Sequence, residues 1–295
     1  MINEEVIRKI HEEFALRGMS QQTEKSYLCA LHLFLRYYEN RPVETMGEPE
    51  IREFLLYQIS IGKTNGSVNI YNSALRFIFG AVLARNLNCR MIPRRRDRRD
   101  FPAIMSKDEI VRFFSVIDNL RDRAMFETAY GAGLRRSEIV HLRVQDIDSK
   151  QMRIFVHHGK GGKDRFTLLS KRNLEILREY WKQYRPNHPE GYLFYARSRD
   201  KHILTSRSVD NAFNKYKAMA HLPESYTVHT LRHCFATHLL ESGVEVCQIK
   251  ELLGHTFIQT TAFYLHLSNM NESITSPLDT LPKKRGRKPK VKKDA

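Results

Sequence analysis

Residues 229–240 read HTLRHCFATHLL, residues 252–256 read LLGHT and residues 261–266 read TAFYLH. His229 and Arg232 both stand in the first of these, within an expected helix. His255 follows in LLGHT, and Tyr264 lies nine residues further on. Upstream, Arg135 stands in GAGLRRSE (131–138) and Lys160 in HHGKGGKDR (157–165). Taken singly, these residues are unremarkable: a tyrosine in an amphipathic helix is normally core, a histidine a satisfied hydrogen-bonder, a hairpin lysine solvated. Two arginines, a lysine and two histidines around one tyrosine suit something doubly anionic beside the phenol, and a phosphodiester passing through a pentacoordinate state fits. Positive charge on the non-bridging oxygens, an oriented nucleophile and a proton for the leaving oxygen are what that reaction requires.

The surrounding sequence predicts mixed α/β structure from Pro102 onward. Ser106 and Glu109 form a capping box that opens a helix carrying Ile110, Phe113, Phe114 and Ile117. A second helix over 121–130 ends at GAG, and the turn places Arg135 at the start of the next. Residues 152–156 and 165–169 predict two strands around the glycine-rich turn 159–162, a β-hairpin with Lys160 at its tip. Helices follow near 172–184, 207–220, 229–242, 245–253 and 258–267, with Asn173 and Thr227 as N-terminal caps. Glu138, one turn beyond Arg135, is placed to brace a guanidinium; the competing reading is an i, i+3 surface ion pair worth a few tenths of a kcal/mol.

Residues 1–90 predict an all-helical domain. Tyr27, Leu31, Phe34, Leu35 and Tyr38 form one helical face behind a Ser20 cap, Ile51, Phe54, Leu55 and Ile59 a second stripe, and Tyr71, Ala74, Leu75, Ile78 and Val82 a third. Residues 90–102, RMIPRRRDRRDFP, form a linker in which Arg94, Arg95, Arg96, Arg98 and Arg99 are broken by one aspartate between two prolines. A solvated hinge is one reading; arginine throughout favours phosphate contact, because the guanidinium fork matches phosphate oxygens. The end of the chain, LPKKRGRKPKVKKDA, predicts a disordered basic tail.

The 295 residues carry 49 Lys plus Arg against 33 Asp plus Glu, a formal charge of +16, which calls for a polyanionic partner. No apolar run approaches the ~20 residues of a membrane span, and no signal-peptide core opens the chain. Cys29, Cys89, Cys234 and Cys247 lack CxxC spacing and read as reduced, mostly buried thiols of a cytoplasmic protein. His229, His233, His238, His255 and His266 have no zinc-module spacing, so no metal or other cofactor is expected, and His233 and His238 read as packing or DNA-backbone residues.

From about residue 103 to 268, and more loosely over the first ninety residues, these motifs resemble the tyrosine recombinase (phage integrase) family. HTLRHCFATHLLESG, LLGHT and a tyrosine nine residues after that histidine are specific in combination; GLR followed by SE, and GKGGKDR, are weak alone. The resemblance implies a mainly α fold with a small β-hairpin or sheet: a helical, SAM-like core-binding domain over 1–90 and a catalytic domain over 103–268; composition adds an Arg-rich linker over 91–102 and a basic tail over 269–295, the tail reading as an addition to the family pattern. It implies Arg135, Lys160, His229, Arg232, His255 and Tyr264 as catalytic residues. Tyr264 would attack phosphorus to leave a 3′-phosphotyrosine and a free 5′-hydroxyl, and Lys160, with Lys163 as runner-up, would protonate the leaving oxygen. His229 would take or assist the tyrosine proton, and His255 would bind a non-bridging oxygen.

The expected partner is double-stranded DNA, held by a homo-tetramer on two synapsed sites in the cytoplasm at the nucleoid, with no membrane and no small-molecule substrate. Within the tail, Arg285, Arg287 and Lys288 of RGRKP resemble an AT-hook that lies in a narrow minor groove. Residues 268–281 have poor helix propensity, so exchange of a segment between protomers would be short or differently built. The alternatives are a type IB topoisomerase-like nicking-closing enzyme and a catalytically silent protein that only occupies DNA sites.

Overall fold

The computed structural model describes residues 3–96, 102–157, 164–196, 201–257 and 261–266. The chain divides into two compact units, 1–100 and 101–295. It is mainly helical with one small sheet.

The first unit is built from α1 (Asn3–Leu16), α2 (Gln21–Tyr37), α3 (Glu48–Ser60) and α4 (Asn65–Phe77), the last running into a π-helical turn at Ile78–Val82. Ser20 caps α2, its hydroxyl accepting from the Thr23 amide, and Thr64 does the same for α4 with Ser67. The apolar stripes converge: Leu31, Phe34, Ile51, Phe54 and Leu75 are buried, and Phe34 meets Phe54 edge-on at 5.3 Å. Each such side chain contributes roughly 1.5–3 kcal/mol of burial. Residues 91–96 are not free of this unit. The Asn72 amide, itself buried, donates to the carbonyls of Ile92 and Pro93 at 3.0 Å. Asn69 exchanges two hydrogen bonds with the backbone of Arg95, and Asn65 donates to Arg96. One face of α4 thus serves as a backbone partner for the arginine segment; Arg94 and Arg96 are exposed, and the Arg94 guanidinium also donates to the Ser73 hydroxyl. The linker reading of this stretch is corrected to that extent; Arg98 and Arg99 lie outside the described residues.

The second unit comprises α5 (Lys107–Ser115), α6 (Leu120–Gly131), α7 (Arg136–Val140), a sheet of β1 (Ile147–Asp148), β2 (Arg153–Val156) and β3 (Arg165–Leu168), then α8 (Lys171–Tyr184), α9 (Ser206–Met219), α10 (Val228–Glu241) and α11 (Val246–Leu253). The sheet is antiparallel in the order β1-β2-β3, with Phe155 opposite Phe166 and Val156 opposite Arg165. β1 was not expected; two residues are too short to show a period. The Ser106–Glu109 capping box is present. Asn173 is not the cap of α8: Ser170 is, and Asn173, one turn inside, is buried and donates to Thr128. Of the expected helix over 258–267 the described part ends in a 3-10 turn, Phe263–His266.

α10 is the axis of this unit, and it is buried on most sides, from Val228 through Leu231, Arg232, Cys234, Phe235 and His238 to Leu240. His238 pins it by accepting from the Tyr130 hydroxyl and donating to the Met105 carbonyl. Of the four cysteines only Cys234 is buried, which corrects the expectation that most are; the other three sit on outward helix or loop positions. Burial pushes the Cys234 thiol up to about 12, so it stays protonated. Among the described residues, no helix is long and apolar enough to cross a membrane.

Gly133 sets how closely the turn after α6 meets α10. Its φ is +60°, and a Cβ there would lie 2.4 Å from the Phe235 ring. Gly133→Ala adds overpacking to left-handed strain, and urea unfolding should show a loss of roughly 2–4 kcal/mol. A change below ~0.5 kcal/mol would mean that α10 is free to shift.

Candidate active site

The sharp turn at Gly133 hands the chain to Arg135, the N-cap of α7, whose backbone amide donates to Glu138 Oε2 at 2.7 Å. The Arg135 guanidinium folds onto Glu138 Oε1 at 2.6 Å. The same carboxylate receives a bidentate fork from Arg165, both bonds 2.8 Å, and lies 3.6 Å from Arg232. Glu138 is therefore no surface partner of Arg135. Its side chain is 5% exposed and three guanidiniums converge on it, with two positive charges in excess.

The sequence places Arg165 only on a strand. In a half-buried strand reading RFTL, Phe and Leu are expected inside; here Arg165 and Thr167 are buried, while Phe166 and Leu168 face out. The inversion has a cause. Thr167 donates to the Ala132 carbonyl at 2.8 Å, and Arg165 spans from Glu138 to the carbonyl of Leu252 at the end of α11. Gly254 ends α11 in a left-handed cap where a Cβ would lie 2.8 Å from Arg165, so glycine there admits the guanidinium and turns the chain into His255. The available signal was an arginine where strand periodicity demands an apolar residue.

Arg232, 1% exposed, is held by the carbonyls of Gly133 and Leu253, each at 2.6 Å, and it donates to His255 Nε2 at 3.2 Å. Because a guanidinium only donates, His255 Nε2 accepts, and its Nδ1–H donates to Thr261 at 2.9 Å. Burial, with Arg232 and Arg135 close by, drives the His255 pKa down to about 3, so the ring is neutral. Burial and Arg135 also lower Arg232, to about 9, leaving it cationic at neutral pH. Arg135, His229, Arg232, Gly254 and His255 line one cleft of about 250 Å³ together with Thr256 and Phe257. His229 stands at its open side, solvent-exposed. The surrounding protein and Arg232 depress its pKa, an effect its contact with water tempers.

Tyr264 is 4% exposed and its ring stacks on His255 at 6.4 Å and 13°. Its hydroxyl meets Nδ1 of His233 at 2.9 Å. His233, read from the sequence as a packing or DNA-backbone residue, is thus corrected to the partner of the phenol. Burial raises the Tyr264 pKa, opposed by Arg232 and Arg135. The structure therefore brings Arg135, His229, Arg232, His255 and Tyr264 together, with Glu138, Arg165 and His233 added. Lys160, Lys163, Arg285, Arg287 and Lys288 lie outside the described residues. Among the described residues no group of three His, Cys, Asp or Glu side chains could hold a metal ion.

Burial alone would raise Glu138, but hydrogen bonds and charge from Arg165, then Arg135, bring it down to about 2 from 4.5. A depressed carboxylate contributes stability that is present above its unfolded pKa and lost as pH falls from about 4.5 through 2, here at most about 3 kcal/mol. Glu138→Gln should lower the unfolding free energy by about that amount at pH 7, and the gap to wild type should narrow as pH falls below about 4.5 and vanish only below about 2. His255 and His233 titrate in both proteins and cancel in the difference. A gap constant with pH in urea titrations would refute the hub role of the carboxylate.

Residues 103–271 match the model described as the phage integrase family, and residues 6–89 that of the phage integrase N-terminal SAM-like domain. The chain is 31% identical over 279 residues to the tyrosine recombinase XerA of Pyrococcus horikoshii, covering 93% of this chain and 94% of that one. It is 35% identical over 269 residues to XerA of Thermococcus kodakarensis, covering 88% and 90%. A lambda integrase tetramer bound to a Holliday junction matches in fold with a TM-score of 0.72 at 19% identity, covering 90% of this chain and 77% of that one. With both units matched in order and the relatives aligned along nearly their whole lengths, the chain belongs to the phage integrase family, that of the tyrosine recombinases.

Proposed function

We propose that this tyrosine recombinase cuts and rejoins duplex DNA at a specific site through a 3′-phosphotyrosine intermediate, without metal or ATP. The observation that carries the reading is the arginine cluster on Glu138 beside a phenol, because its two surplus positive charges match the two negative charges of a pentacoordinate phosphorane. Arg135 and Arg232 hold the non-bridging oxygens, each charge-assisted contact contributing roughly 1.5–3 kcal/mol. His255 adds a contact to the same oxygens, and His229 closes the open side of the cleft. The Tyr264 oxygen bonds to phosphorus as the P–O5′ bond breaks. Lys160, or Lys163, supplies the proton to the leaving oxygen. The phosphotyrosine conserves the bond energy, so the 5′-hydroxyl reverses the step with no external energy source.

The domain assignments follow this reading. Residues 1–90 clamp the duplex, Arg94, Arg95, Arg96, Arg98 and Arg99 contact its phosphates, residues 103–268 carry the chemistry, and Arg285, Arg287 and Lys288 grip A·T-rich DNA. The working form is a homo-tetramer on two sites, supported by the fold likeness to the lambda integrase tetramer. The match to a SAM-like N-terminal domain favours a recombinase over a topoisomerase.

Wild type and Tyr264→Phe should be compared on nicked duplexes tiled across the DNA flanking the gene, without added metal, on denaturing gels. Wild type should give a DNA-linked band on the tile it binds tightly. Tyr264→Phe should bind that tile equally and link none of it. A band that persists in the variant removes Tyr264 as nucleophile, and tight specific binding without any band in wild type favours the silent DNA-binding alternative.

A further inference from the structure

The Tyr264 hydroxyl must place its proton on an acceptor. Among the described residues its one hydrogen-bond partner is His233 Nδ1, at 2.9 Å, within the 2.6–3.2 Å reach of a general base. His229, the histidine the sequence motif offers for this duty, lines the cleft with Arg135 and Arg232 and packs edge-on against His233, ring centres 4.5 Å apart. We infer that His233, not His229, is the catalytic base of this chain, taking the Tyr264 proton at Nδ1 as the phenol oxygen attacks phosphorus.

This deepens the recombinase reading and rests on it. The O–H bond of Tyr264 breaks, its electron pair stays on oxygen and becomes the new bond to phosphorus, and the proton forms the Nδ1–H bond of an imidazolium. On rejoining, the imidazolium returns that proton to the departing phenolate. For Nδ1 to accept, the neutral ring carries its own proton on Nε2.

The groups around His233 explain when it works. On α10 it faces His229 and Arg232; across from it are Tyr264 and, stacked behind that ring, His255, with Arg135 on the turn before α7. Burial first, then His229 and Arg232, hold its pKa down to about 4. In the DNA-free protein an imidazolium beside these cations is unfavourable, and the tyrosine keeps its proton. A phosphodiester seated between Arg135 and Arg232 supplies the negative charge that offsets the imidazolium. The base therefore becomes competent when the substrate is in place, and an empty site keeps a buried, protonated phenol.

The test uses the full-length protein and the nicked duplex captured in the preceding assay, under single-turnover conditions. His233→Ala should slow DNA linkage by about 10²–10⁴-fold. Added imidazole should restore at least tenfold of the rate, with a dependence on the free-base form, and His233→Gln, which keeps a polar partner but cannot take a proton, should stay slow and not respond. Duplex binding at wild-type affinity shows that the variants are folded. Linkage by His233→Ala at the wild-type rate, or a slow variant that imidazole does not rescue, overturns the assignment. If wild type itself links no duplex that it binds specifically, the recombinase reading fails and this inference falls with it, an outcome distinguishable by the wild-type lane alone.

Discussion

The carboxylate of Glu138 is the point on which the second unit's arginine cluster depends. Three guanidiniums from three separate parts of the chain, Arg135 after α6, Arg165 on β3 and Arg232 on α10, meet there. Without it, three cations in a largely buried volume would repel one another, and burying an unpaired charge is among the costliest things a fold can do. With it, the cluster retains a surplus of positive charge and a fixed geometry before any anion arrives. Preorganised charge of this kind is what stabilises a developing dianion without a reorganisation cost at the moment of reaction.

Backbone carbonyls complete that arrangement. Arg232 is bonded to Gly133 and Leu253, and Arg165 to Leu252, so the guanidiniums also fasten the turn after α6 and the end of α11 to α10 and β3. Stability and the proposed chemistry share the same bonds here. The two glycines that allow it, Gly133 and Gly254, are both in the left-handed region and both lie against a side chain that a Cβ would meet below 3 Å. In the first unit, asparagines of α4 satisfy the backbone of the arginine segment, and the Arg94 guanidinium donates to the Ser73 hydroxyl on the same helix.

Much of this was legible in the chain. Helical stripes such as Leu31, Phe34 and Leu35 are periodic, and periodicity survives translation into structure because burial rewards one face. Ser20 and Ser106 announce helix starts through local hydrogen bonds that need nothing distant. Two of the failures came where a long-range partner overruled a local rule. Asn173 looked like a cap but is drawn inside by Thr128. Arg165 sits inward on a strand because Glu138, far off in sequence, is waiting for it.

The sequence by itself determined the helical character of both units, the basic balance that demands a polyanion, and the set of residue types suited to a phosphodiester, because these rest on composition and short-range spacing. Only the tertiary structure decided which histidine touches Tyr264, that Glu138 serves three arginines rather than one, and that Arg165 belongs to the site at all. Those are contacts between segments tens of residues apart, and their pairing is set by how α10, β3 and the turn after α6 pack, which no local pattern encodes.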